Sequence, residues 1–184
     1  YIYSQGKRLE SLSHKLLELV STEHENMKFK PVPTKMLEEN LRTTMRPVWE
    51  SKKIRGKIVL EKATLHGDSE LLLSLLYNLL DNATKAVEED GFILLRGNNT
   101  PAGYEIKVVD NGRGIPKEEI NRITEAFYMV DKSRSRKEGG AGIGMALCKQ
   151  IITLHNGTLK IDSKLGEGTV IKLLFQDKRK ETTE

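Results

Sequence analysis

Residues 68–89 read DSELLLSLLYNLLDNATKAVEE, and the fold turns on them. Leu71, Leu72, Leu73, Leu75, Leu76, Leu79, Leu80, Ala83, Ala86 and Val87 make a helix that is apolar around most of its circumference. Such a helix belongs inside a core. One stripe is polar: Ser74, Asn78, Asp81, Asn82 and Lys85. These residues share a face, because positions three and four apart stack on a helix. Polar groups inside a core cost free energy unless they are paired. The stripe therefore predicts a polar ligand lying on the helix, and two carboxamides with one ammonium suit a metal-bound polyphosphate. A solvent-facing stripe on an ordinary amphipathic helix is the competing reading, and the motifs downstream decide between the two.

Downstream, Gly91 opens a strand, FILLRG. The tripeptide NNT with Pro101 and Gly103 predicts a turn, and YEIKVVD returns as the second strand of a hairpin. That strand ends on Asp110, and the chain turns at once through Asn111, Gly112, Arg113 and Gly114. Glycines there let the backbone take positive φ and approach a ligand closely. Asp110 is placed to accept a hydrogen bond from an exocyclic amine such as that of adenine; a plain Asx turn is the alternative. Residues 116–123 read as a short helix. Residues 131–140 hold cations, two glycines and no aliphatic side chain, and read as a mobile basic loop. Gly140, Gly142 and Gly144 then open the helix MALCKQIITLH. Free N–H groups and the positive end of the helix dipole make such a terminus a phosphate cradle. No strand runs directly into these glycines and no GxxxxGK[ST] is present, so neither the dinucleotide fingerprint nor the P-loop is met.

Upstream, residues 1–20 carry Ile2, Leu9, Leu12, Leu16, Leu19 and Val20 at near-heptad spacing, which predicts a helix borrowed from a larger bundle. Pro31 and Pro33 follow, and the globular domain is expected to begin near residue 26. MKFKPV is a candidate strand. Residues 34–45 form an amphipathic helix that Pro47 ends or kinks. Trp49 is expected to pack on the sheet, residues 57–61 form a strand, and LHGD is a loop with Asp68 or Ser69 capping the central helix. TLKIDS and TVIKLLF are the closing strands, joined by KLGEG; His155 reads as a capping residue at a helix end, and residues 177–184 as a charged tail.

Composition narrows the function further. At 184 residues the chain can bury a core of its own. Its single cysteine, Cys148, excludes a disulfide framework and fits an intracellular setting. The net charge of +4 is modest and aromatics are few, so no nucleic-acid partner is expected. No apolar run reaches membrane-spanning length and no signal pattern opens the chain, so no direct membrane contact is expected of it.

The order NLLDNATKA, DNGRGI, EAFYMVDKSRSR and GGAGIGMAL resembles the N, G1, F and G2 boxes of the ATP-binding catalytic domain of sensor histidine kinases. That family belongs to a superfamily shared with type II topoisomerases, heat-shock chaperone ATPases and mismatch-repair ATPases. The resemblance implies an α/β fold, a two-layer sandwich of a mixed sheet of about five strands with about three helices on one face. It implies ATP and Mg²⁺ as cofactors. By position, Asn82 is the Mg²⁺ ligand, Asn78 contacts the phosphates or the metal's water shell, and Lys85 neutralises phosphate charge. Asp110 accepts from the adenine amine, with Gly112, Gly114 and Ile115 shaping that pocket. Phe127 begins the lid. Gly140, Gly142, Ile143 and Gly144 form the triphosphate cradle. Where the family often has Arg after the F-box aromatic pair, this chain has Met129; Lys132, Arg134 or Arg136 is left to reach the γ-phosphate, with Arg134 assigned the catalytic place and Lys132 a binding one. Ala86 and Ala141 also stand where an aromatic and a Thr or Ser are common.

Four residues before Asn82, the hydrolytic and serine-kinase branches of the superfamily carry Glu; here stands Asn78. A carboxamide cannot take a proton from water or a serine hydroxyl, whereas neutral imidazole is already nucleophilic. The resemblance thus implies transfer to a histidine, with an ATPase, a serine kinase or a degenerate nucleotide-binding module as alternatives. Residues 1–25 look like the end of the dimerisation and phosphoacceptor hairpin, and residues 26–176 like the catalytic domain. None of His14, His24, His66 and His155 has the acceptor context, so the acceptor is expected elsewhere in the parent protein. Implied partners are that phosphoacceptor domain, in cis or in trans within a homodimer, and a response regulator receiver domain. The implied location is cytoplasmic, in a parent protein anchored in the bacterial membrane.

Overall fold

The structure, a computed structural model, describes residues 29–130 and 142–176. The expected helix at residues 1–20, the cations Lys132, Arg134 and Arg136, Gly140, Ala141 and the charged tail lie outside these residues.

In chain order the elements are β1 (Lys30–Pro33), α1 (Thr34–Ser51), β2 (Arg55–Leu60), β3 (Thr64–Gly67), α2 (Ser69–Ala86), β4 (Phe92–Thr100), β5 (Gly103–Asp110), α3 (Gly144–Leu154), β6 (Gly157–Lys164) and β7 (Gly168–Gln176). The main sheet is five-stranded, in the order β2-β4-β5-β7-β6. Only β2 and β4 run parallel, and the crossover between them carries α2. The other three pairings are antiparallel. This is the mixed α/β sandwich that the sequence predicts, with three helices.

Side chains alternate along each strand, because successive residues point to opposite faces. Ile58 and Leu60, Ile93 and Leu95, Ile106 and Val108, and Ile171 and Leu173 are buried toward the helices. The central helix α2 fills that space with Leu72, Leu75, Leu76, Leu79 and Leu80, each at most 1% exposed. Burying one such side chain contributes roughly 1.5–3 kcal/mol. Its start is fixed by Asp68, whose Oδ1 accepts from the backbone N–H groups of Glu70 (3.0 Å) and Leu71 (3.1 Å).

Four expectations are corrected. Pro47 does not end α1, which continues to Ser51. The packing of the last turn outweighs the lost backbone bond: Met45 and Trp49 are buried, and the Trp49 indole N–H donates to Thr84 Oγ1 at 2.9 Å. Pro47 itself faces solvent, where a bend is tolerated. Trp49 does pack on the sheet, over Gly56, where an added Cβ would lie 1.7 Å from the ring.

The LHGD segment is not all loop, since its first three residues pair with β1 as β3. Thr34 secures that corner: its hydroxyl donates to the Glu61 carbonyl (2.9 Å) and accepts from the Ala63 N–H (3.0 Å). The residues NNT belong to β4, which leaves only Pro101 and Ala102 for the turn; cross-strand pairing of Asn98 with Glu105 and Asn99 with Tyr104 overrides the poor strand propensity of asparagine. Residues 116–123 form successive turns rather than a helix. Ile115, Ile120 and Ile123 are only half-buried there, so no apolar stripe holds a helix in place.

Candidate functional site

The polar stripe of α2 faces the N-terminus of α3. Asn78 is 9% exposed, and its amide donates to the Ser74 carbonyl at 2.8 Å. A Cβ added to Gly144 would lie 3.1 Å from Asn78 Oδ1 and 4.0 Å from Asn82 Nδ2. The α3 backbone therefore packs closely on the Asn78 carboxamide and lies within ordinary contact of that of Asn82. The N-cap residue Ile143 offers no side-chain acceptor of its own, and the first N–H groups of α3 open toward this corner. Asn82 Nδ2 is buried and, among the described residues, has no hydrogen-bond partner. A buried unsatisfied donor costs about 1–3 kcal/mol. An anion bound here would meet the helix N–H groups and this orphan amide together. Lys85 Nζ, at the end of the same stripe, lies 2.6 Å from Asp81 Oδ2. The structure pairs that ammonium within the helix, half-shielded, beside the phosphate corner.

Asp110 ends β5 on the helix side of the sheet and is 7% exposed. Its Oδ1 accepts from the Gly112 N–H at 2.8 Å. Burial pushes its carboxyl above the usual value, and the backbone bonds from Gly112 and Thr169 partly oppose that push. The turn after it is clamped from two sides. A Cβ on Gly112 would lie 2.6 Å from the Ala86 carbonyl oxygen, and the Arg113 N–H donates to that same oxygen at 3.1 Å. Gly114 has φ +68°, and a Cβ there would lie 2.0 Å from the Lys164 carbonyl oxygen. Ile115 is held by its N–H on Ser163 Oγ at 2.8 Å. Ala86, the departure from the more common aromatic, thus makes the seat on which the glycine turn packs.

The Phe127 N–H donates to the Gly142 carbonyl at 2.8 Å, which ties the start of the F-box segment to the glycines before α3. Phe127 has φ +66° and is 59% exposed, while Ile143 is buried in the core. Arg122 lies over the Tyr128 ring, 4.1 Å from its centroid, and the Tyr128 hydroxyl donates to Glu119.

The structure thus brings together Asn78, Asn82, Lys85 and Gly144 at one corner and Asp110, Gly112, Gly114 and Ile115 at the other, both against the C-terminal half of α2. One polar residue was missed by the sequence reading. Thr169 is buried and opposite Asp110 in the β5–β7 register, and its Oγ1 lies 2.9 Å from Ser163 Oγ. Only the threonine following the KLGEG turn hinted at this. His155 sits at the end of α3 as predicted, but its ring also accepts from the Asp68 N–H at 3.1 Å, which joins two helix ends.

Donor chemistry admits Mg²⁺ here. The ion is held by few protein oxygens together with phosphate oxygens and water, so one asparagine carboxamide in an anion corner suffices. Among the described residues no group of three or more His, Cys, Asp or Glu could hold a metal by itself.

Residues 67–179 match the family of histidine kinase-, DNA gyrase B-, and HSP90-like ATPases, and the chain belongs to that family. Within it, the curated relatives are sensor kinases, and the described domain is an ATP-binding catalytic domain of the histidine-kinase type. Sensor protein CiaH of Streptococcus pneumoniae is 39% identical over 110 residues, covering 60% of this chain and 25% of that protein. Sensor histidine kinase YkoH of Bacillus subtilis is 30% identical over 178 residues, covering 96% of this chain and 38% of that protein. The chain therefore spans a minor part of the length of either. The solved mycobacterial sensor histidine kinase MprB superposes with a TM-score of 0.69 at 25% identity, over 81% of this chain and 97% of that one. Full-length ShkA shares the fold with a TM-score of 0.80 at 24% identity, over 95% of this chain and 37% of that one.

Proposed function

We propose that the domain binds ATP with Mg²⁺ in the cleft between α2, the Asp110 turn and the start of α3, and donates the γ-phosphate to a histidine of the parent protein. The observation that carries this reading is the buried Asn82 amide, without a partner among the described residues, beside the N-terminus of α3. In this reading Asp110 accepts the adenine amine and Thr169 steadies its carboxylate. The backbone N–H groups at Gly142, Ile143 and Gly144 hold the phosphates, and Gly140, Lys132 and Arg134 complete the cradle from the basic segment. Asn82 offers Oδ1 to Mg²⁺ and Nδ2 to a phosphate oxygen. The ion supplies neutralisation of phosphate charge. Lys85 exchanges Asp81 for a phosphate oxygen.

The acceptor imidazole nitrogen bonds to the γ-phosphorus as the bond to the β,γ-bridging oxygen breaks and ADP leaves. Such transfer is mostly positioning and charge stabilisation, which these residues offer. Asn78 supports this reading against hydrolysis, because a carboxamide is no base. A response regulator aspartate then takes the phosphate, and the parent protein is anchored in the bacterial membrane with this domain in the cytoplasm. Among the described residues no helix is long and apolar enough to cross a membrane.

The test has two stages. A fluorescent ATP analogue should bind this chain only with Mg²⁺, and Asp110→Asn should weaken it about 10- to 100-fold, as expected for a lost hydrogen bond to a charged acceptor. Binding indifferent to both would identify a degenerate module. The full-length parent is then incubated with γ-labelled ATP. Base-stable, acid-labile protein phosphate is the expected product. Acid-stable phosphate would identify a serine kinase, and free phosphate alone an ATPase.

A further inference from the structure

We propose that the face of the main sheet turned away from the helices is a docking surface for an acidic helix of a partner protein. The three helices of the described residues and the proposed nucleotide cleft occupy the other face. On the open face the strand register sets four cations directly opposite one another. Arg96 pairs with Lys107, Lys107 with Lys172, and Lys172 with Lys160. Like charges in directly opposed positions destabilise a sheet, so this row opposes folding rather than assisting it.

Among the described residues one carboxylate pairs with the row, and three of its four cations have no ion pair. Glu105 lies 2.7 Å from Lys107. Asp162 shares the β6 face with Lys160 one alternation away, and Glu61, just past β2, accepts the Asn99 N–H at 3.1 Å. Among the described residues no carboxylate forms an ion pair with Arg96, Lys172 or Lys160. Lys57 and Arg55 continue the positive face on β2, Arg55 with its guanidinium on the Asp90 carbonyl.

The spacing selects the occupant. Adjacent strands lie about 4.8 Å apart, so the four cations span about 14 Å. An α-helix laid across the strands presents a side-chain stripe once per turn, about every 5.4 Å, which nearly matches that spacing. Next to the cation row the register places Leu94, Val109 and Val170, all half-buried, in a parallel apolar row. A helix with carboxylates on one stripe and aliphatic residues on the next complements both rows. A bilayer is a poorer fit, since these aliphatic groups are half-covered and do not protrude. Nucleic acid is a poorer fit, since the exposed aromatic of this face, Phe92, lies opposite Arg55 at the start of β4, away from the four-cation row, and no aromatic among the described residues stands within the row to stack a base.

The probe is a synthetic helical peptide bearing Glu along one stripe and Leu along the adjoining one, titrated into the isotope-labelled chain and followed by amide NMR shifts. Shifts are expected in β4, β5, β6 and β7 at the row, with affinity falling at least tenfold as salt rises from 50 to 300 mM. Lys107→Glu with Lys172→Glu should weaken the peptide at least tenfold and leave ATP-analogue affinity unchanged. If that pair misfolds, Lys160→Gln with Lys172→Gln should still weaken the peptide several-fold. Equal affinity for a peptide with Gln in place of Glu, shifts confined to other surfaces, or tighter binding by the same residues to phosphatidylserine vesicles or duplex DNA would each overturn the proposal.

Discussion

Asn82 and His155 show how single side chains divide between function and fold. Asn82 keeps a buried amide nitrogen with no acceptor among the described residues. A residue retained for stability would not leave that donor unpaired, since an orphaned buried donor costs about 1–3 kcal/mol. Asn82→Ala should therefore abolish Mg²⁺-dependent binding of the ATP analogue. In the nucleotide-free protein it should leave the melting temperature unchanged or raise it, as calorimetry will show. His155 behaves oppositely. Its Nδ1–H donates to the Ile151 carbonyl at 2.8 Å and its Nε2 accepts from the Asp68 N–H, so the fold holds the neutral ring. Phe29 and Phe175 pack around it, and the nearest charge facing it is Asp68. Burial pushes its pKa below the ordinary 6.5, although the Ile151 bond and Asp68 oppose the shift. The unfolded chain then binds the proton more readily than the fold does. Stability is complete above the unfolded value of 6.5 and declines as pH falls below it toward the lower folded value. The drop in melting temperature between pH 7 and pH 5 should shrink in His155→Gln, which can still accept from Asp68.

At the scale of elements, tertiary contacts decide where local propensity points the other way. Proline inside a helix costs about 3 kcal/mol relative to alanine. The last turn of α1 forms regardless, because Trp49 is anchored on Thr84 and over Gly56. Pro47→Ala should restore the missing backbone bond and stabilise the protein by about 1–2 kcal/mol, less than the full propensity difference because the unfolded chain also gains freedom. Urea unfolding measures this directly. Trp49→Ala should cost about 3–5 kcal/mol in the same assay. Gly112 tests the seat of the turn: Gly112→Ala puts a methyl 2.6 Å from the Ala86 carbonyl, so the Asp110 turn must shift, and both nucleotide affinity and the urea unfolding midpoint should fall, the latter by about 1–3 kcal/mol of stability.

For the whole molecule, what was legible in the sequence is what short-range pattern controls. The apolar run of α2 and the alternation of the sheet strands announced themselves through period, and the glycines at 112, 114, 142 and 144 through the positions they hold beside it. What was not legible depends on partners distant in the chain. LHGD becomes strand only because β1 offers it an edge. The residues NNT become strand only because Glu105 and Tyr104 pair with them. Thr169 reaches Asp110 through a register that no local spacing encodes. The core that unites these parts centres on α2, so Leu76→Ala, at a side chain 1% exposed, should cost about 2–5 kcal/mol in urea unfolding.

The bond from the Phe127 N–H to the Gly142 carbonyl closes a chain loop at its feet. The entropy of closing a loop grows only with the logarithm of its length, about 0.6 kcal/mol for each doubling. A change in the number of residues between those two ends therefore carries little thermodynamic consequence for the body that holds them.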